Sequence, residues 1–188
     1  MEYLNSIVTL IVGLSAYYVY YASKKHAKES AANIIIMDIR HAEQIVQNIL
    51  EKGFVDIWTR EVLLENNWSK YKHLFVKDFG QDDFVSFNRF FDSCVEMSDA
   101  RMRIRDTFYI SLNAKAEILQ QKLADVEDPM SPAGVEKRNL ILSQINQENL
   151  LFEPVEPRDR MMRNLQMMGK LSNTIAFEKL KVKAGINA

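Results

Sequence analysis

Six glycines and four prolines in 188 residues are too few to punctuate a sheet, because strands and hairpins need frequent turn chemistry. Long stretches without either residue point to helices. The single cysteine, Cys94, excludes an internal disulfide, which fits a reducing compartment and rules out a stapled secreted scaffold. An excess of one charge is missing too. A net charge of −1 argues against a bulk polyanion, so no nucleic-acid partner is expected. The three histidines, His26, His41 and His73, stand in no ligand spacing, and none follows a glutamate by three residues as in bundle metal centres. The glycine patterns that cradle phosphates or dinucleotides are also absent. The chain therefore reads as non-enzymatic, with no catalytic residue, cofactor or metal.

What the chain does have is a long uncharged start. From Tyr3 to Ala22 no residue carries a charge, and about 20 residues rising ~1.5 Å each would cross a hydrocarbon core of about 30 Å. A cleaved signal peptide would need a basic beginning and a small-residue cleavage site. This run begins after Glu2 and ends in Tyr17, Tyr18, Tyr20 and Tyr21, rings suited to the membrane interface. Lys24, Lys25 and Lys28 follow at once. That asymmetry determines an orientation with the amino terminus outside and the remainder in the cytoplasm. The expectation is a single-pass protein of a bacterial inner membrane, with the lipid bilayer as its first partner. Ser6, Thr9, Gly13 and Ala16 recur at spacings of three and four, a small-residue face that would let another transmembrane helix approach.

Nothing breaks the helical pattern between Ala22 and Lys52, so the anchor (1–23) continues into a juxtamembrane stalk (24–52) that Gly53 ends. Ala32, Ile35, Ile39, Ala42, Val46 and Ile49 form a heptad seam along it. The seam fits either an intermolecular coiled coil or packing on later helices of the same chain. A helical domain (53–184) and a frayed tail (185–188) follow. Within the domain the pattern predicts a helix over Asp56–Trp68. It then predicts one very long helix, or two meeting near Ser98, from Gln81 to Asp128, striped by Phe84, Phe87, Phe91, Val95, Ser98, Met102, Tyr109, Leu112, Ala116, Leu119, Leu123 and Val126. Arg105 falls in that stripe and, if buried, demands a partner. Aromatic crowding in Phe75, Phe79, Phe84, Phe87, Phe90, Phe91 and Phe108 marks the main core. Pro129 and Pro132 separate a shorter helix capped by Ser131, and Pro154 and Pro157 break the chain before a last helix lined by Met161, Met162, Leu165, Met168, Leu171, Ile175 and Leu180. The fold class is all-α: one transmembrane helix continuing into a stalk, then a bundle of long antiparallel helices.

Two charged groups remain. Asp92, Glu96, Asp99 and Asp106 interleave with Arg101, Arg103 and Arg105; they read as a salt-bridged face, and the rival, a helix-borne carboxylate metalloenzyme, lacks converging ligands. From Arg158 to Lys183 basic residues outnumber acidic ones, a face suited to an acidic neighbour or to anionic lipid. The leading expectation is a membrane-tethered interaction or scaffold module that binds itself or another membrane or cytoplasmic protein. The alternative is an oligomeric signalling or effector component.

Overall fold

The computed structural model describes the backbone of residues 2–147 and 155–186, and the side chains of 9–147 and 155–186. Among them there is no strand. Six α-helices follow in order: α1 Glu2–Lys52, α2 Asn67–Tyr71, α3 Gln81–Ala124, α4 Pro132–Gln147, α5 Val155–Met168 and α6 Ile175–Lys183. Single 3-10 turns at Lys72–Phe75 and Leu171–Asn173 complete the regular structure. The chain forms two compact units, one of Met1–Asn48, Val62–Val95 and Met168–Ala188, the other of Ile49–Glu61 and Glu96–Met167.

Tyr3–Ala22 and the stalk are one helix, as the lack of breakers requires. Gly53, at φ 72, ends α1 because only glycine enters the left-handed region at no steric cost, and its N–H closes on Ile49 O at 2.9 Å. No helix among the described residues is long and apolar enough to cross a membrane. The expected span begins among residues 2–8, whose side chains lie outside the described set together with Ser6. The expected transmembrane span is therefore not supported by the described residues.

The first unit is built around Trp68 and the heptad seam. Ala32, Ile35, Ile39 and Ala42 are each 0% exposed and Val46 is half-buried; Ile49, also buried, belongs to the second unit. Tertiary bonds flank this stripe: Asn33 Nδ2 donates to Ala184 O at 3.2 Å, Asn67 Nδ2 to Asp38 at 3.0 Å, and the Ser172 N–H to Glu43 at 2.8 Å. Ala32, Ile35, Ile39 and Ala42 are thus covered by their own chain, the intramolecular one of the two packings the sequence allows. Trp68 lies at the centre of the aromatic crowd, stacked on Phe87 with centroids 4.5 Å apart and tilted on Phe84 at 5.3 Å. Phe75, Phe79 and Phe91 complete the shell.

The second unit buries Met97, Ala100, Ile104, Val126, Ile145, Met161 and Leu165. α3 is one unbroken helix past Ser98; Phe87, Phe91 and Val126 of the expected stripe are buried, but between Cys94 and Ile104 the buried line is displaced by about one residue from it. Cys94, Met97, Ala100 and Ile104 face inward, while Val95, Met102, Tyr109 and Leu112 stay 41–49% exposed. One residue is about 100° of helix rotation. Small and soft side chains take the inner line, and Arg105 needs no buried partner because it is only half-buried.

Three local expectations fail for identifiable reasons. Residues 56–66 are not helical: the Asp56 side chain accepts the Trp58 N–H at 3.1 Å and Thr59 Oγ1 accepts the Asp56 N–H at 3.1 Å, local bonds that compete with a helix. Asn66 then caps α2 by accepting the Ser69 N–H at 2.9 Å. The expected last helix is two, because Gly169 at φ 64 separates α5 from the 3-10 turn before α6. Pro157 sits inside the first turn of α5, where its missing N–H removes no bond; Pro154 lies outside the described residues. Finally, Gly185 and Ile186 do not fray. Gly185, at φ 73, donates to Val182 O and Ile186 to Lys181 O, a helix-closing pair, whereas residues 187–188 are outside the described set.

Pro132 opens α4 as expected, and Ser131 caps it by accepting the Gly134 N–H at 3.0 Å while donating to Asp128 O at 2.9 Å. A methyl group on Gly134 would stand 2.2 Å from that carbonyl oxygen. Gly134→Ala is therefore expected to cost about 2 kcal/mol or more, since the clash is with backbone and cannot be relieved by a rotamer change. A thermal melt unchanged from wild type would show that the α3–α4 turn relaxes freely.

Candidate functional site

The described start of α1 is a bare apolar helix. Leu10, Ile11, Val12, Leu14, Tyr17, Tyr18, Val19, Tyr20 and Tyr21 are all between 56% and 73% exposed. A monomeric soluble surface rarely carries so continuous a patch, and such patches mark membrane or protein contacts. Thr9, Gly13 and Ala16 lie on this helix, and a Cβ added at Gly13 would meet nothing within 4 Å.

Toward its carboxyl end the bare segment meets folded structure. Tyr17, Tyr20 and Tyr21, then Lys24 and Lys28, recur at helical spacing and share one face of α1. Against that face lies the 3-10 turn Lys72–Phe75 and the residues just after it. Phe75, 0% exposed, pins the turn to the aromatic core, which turns His73, Leu74, Val76 and Lys77 toward the tyrosines. Between them is a pocket of about 570 Å³, lined on one side by Tyr17, Tyr20, Tyr21, Lys24, Lys25 and Lys28. The opposite wall, His73, Leu74, Val76 and Lys77, is a part of the site that sequence reasoning missed. Its only signal was a short basic run with no helical periodicity.

Lys28 ties the pocket floor to the fold. Its ammonium donates to Asp78 at 2.5 Å, and Lys183 of α6 reaches the other carboxylate oxygen at 2.8 Å. Burial pushes the Asp78 carboxyl up, but the two lysine hydrogen bonds outweigh it and hold the group below its ordinary value. Asp83 has the same balance: burial opposes ionisation, and Lys179 at 2.6 Å with the Gly80 N–H at 2.9 Å wins. The basic residues of α6 thus dock on acidic groups of their own unit. Lys25 is 3.8 Å from Glu29, whereas Lys24 and Lys77 have no carboxylate within salt-bridge distance among the described residues.

The other chemistry-bearing residues are brought together differently. Arg160 of α5 holds Glu96 at 3.2 Å, Asp99 at 2.9 Å and Glu156 at 3.4 Å, with Arg103 on Asp99 at 3.1 Å. The Arg160 guanidinium, with Arg103 beside it, lowers the Asp99 carboxyl against the opposing effect of burial. Arg160 closes this network from a distant part of the sequence, which the interleaved charges of α3 alone do not reveal. Asp92 stays exposed, and no group of three metal-ligating side chains occurs among the described residues. Cys94 is fully buried, and burial with Asp38 and Glu43 nearby pushes its thiol up to about 12, so it is no nucleophile at neutral pH. No family model, curated protein or solved structure matches this chain.

Proposed function

We propose that the chain is a membrane-tethered, non-enzymatic helical module that presents its helical domain to a partner on the cytoplasmic side of a bilayer. The exposed apolar helix of residues 10–21, closed by four tyrosines and then lysines, carries this reading. Apolar body, aromatic belt and positive flank follow in the order that a bilayer selects. The spanning geometry, with the amino terminus outside, extends that reading into residues 3–8 and belongs to the proposal. The interaction half is supported by the second unit, where Met102, Tyr109 and Leu112, which share one face of α3, are 41–49% exposed. The same features suit the alternative, an oligomeric signalling or effector component, with the Thr9, Gly13 and Ala16 face as the contact between copies.

Deleting residues 1–23 is expected to move the protein from the membrane to the soluble fraction with its helical circular dichroism retained, because the seam and the aromatic core lie beyond the deletion. Full-length protein should float with uncharged vesicles and the truncate should not. A full-length protein that stays with the soluble fraction and fails to float ends the tethering reading.

A further inference from the structure

We propose that the tyrosine–lysine pocket binds the phosphate headgroup of an anionic phospholipid, holding the domain in a set register at the membrane surface. This rests on the tethering reading and adds a lipid class to it. Three observations carry it. The pocket, about 570 Å³, is formed by two separate elements, so it is a shaped recess and not a row of side chains on one helix. Its charge is of one sign: Lys24, Lys25, Lys28 and Lys77 line it with His73, and no carboxylate does. Lys28 is held by Asp78, which it shares with Lys183, and Lys25 lies near Glu29, which leaves Lys24 and Lys77, one from each wall, as the ammonium groups open to a phosphate.

The third observation distinguishes a lipid from a free phosphate. A mostly apolar strip of the α1 surface, formed by Ile11, Val12, Ser15, Ala16, Val19, Tyr20 and Ser23, shares Tyr20 with the pocket. A phosphate between Lys24 and Lys77 would place an acyl chain along this strip, with the tyrosine rings at the level of the glycerol and headgroup, where amphipathic rings are favoured. A free anion would gain nothing from it. Juxtamembrane lysines attract anionic lipid by simple electrostatics; the recess adds selectivity, since only a group between its walls meets both charges.

The test titrates phosphatidylglycerol, phosphatidylcholine and inorganic phosphate against the detergent-solubilised full chain, reading bound lipid by native mass spectrometry. Wild type is expected to retain phosphatidylglycerol over phosphatidylcholine. Lys24→Gln and Lys77→Gln should each weaken that retention about fivefold, and the two arginine variants should keep it. Both lysines are exposed, so the variants should fold, which circular dichroism checks. Equal retention of the two lipids, or glutamine variants that bind like wild type, overturns the proposal. So does competition at equal strength by inorganic phosphate or a polyglutamate peptide, which would assign the pocket to a free anion or an acidic protein. Flotation keeps the two readings apart. Protein that floats with uncharged vesicles but shows no lipid preference loses the pocket and keeps the tether; protein that floats with neither vesicle type loses the tether.

Discussion

Trp68→Ala is expected to destabilise the first unit by about 3–5 kcal/mol, the range for removing a fully buried large aromatic. Trp68 is 1% exposed and touches five phenylalanine rings, so the cavity left behind is walled by stiff side chains that cannot collapse into it. Its indole N–H also donates to Asn88 Oδ1 at 2.8 Å. Trp68→Phe separates the two contributions, because it keeps most of the ring packing and loses that bond, at a cost nearer 1–2 kcal/mol. Denaturant unfolding of the full chain in mild detergent, followed by circular dichroism, measures both. A loss below about 1 kcal/mol for the alanine variant would mean that Trp68 is not the centre of this core. The pocket should suffer as well, since Phe75, which pins its second wall, stacks on Trp68.

Ile39→Asp is expected to unfold the first unit, with a loss above about 4 kcal/mol, the range reserved for burying an unpaired charge or similar damage. Ile39 is 0% exposed between Ile35, Ile36 and Ala42. The adjoining Asp38 already has its carboxyl raised, first of all by burial, with Asn67 hydrogen bonding opposing. A second carboxylate beside it would ionise at still greater cost. Ile39→Val, which removes one methylene, should cost only about 0.5–1.5 kcal/mol. The readout is thermal stability set beside the mass of the detergent-solubilised particle. A variant that melted like wild type but fell to a smaller mass would mean that the seam joins separate chains, and the intramolecular packing of α1 would be wrong.

The scarcity of glycine and proline was enough to predict an all-helical chain, and the elements whose ends carry strong local chemistry were legible from it. Gly53 ends α1, and Ser131 with Pro132 starts α4, because capping and left-handed closure depend on a few adjacent residues. The helix expected over Asp56–Trp68 fails for the same local reason in reverse: Asp56 and Thr59 satisfy nearby backbone themselves. Which face of α3 turns inward was not legible. Apolar residues line two faces of that helix, and only the partner surface decides that Cys94, Met97 and Ile104 are covered while Val95, Met102 and Tyr109 are not.

By itself, the sequence determined helical content and the order of apolar run, tyrosines and lysines at the start. Those are properties of composition and short-range periodicity, which need no knowledge of neighbours. Tertiary structure decided that the seam of α1 is spent within its own chain, that Arg160 gathers Glu96 and Asp99, and that Lys77 stands across a recess from Lys24. Each of these pairs or covers residues 29 positions or more apart, a separation at which no repeat or propensity carries information. Only burial of the aromatic core, which holds the 3-10 turn against α1, makes the two walls meet.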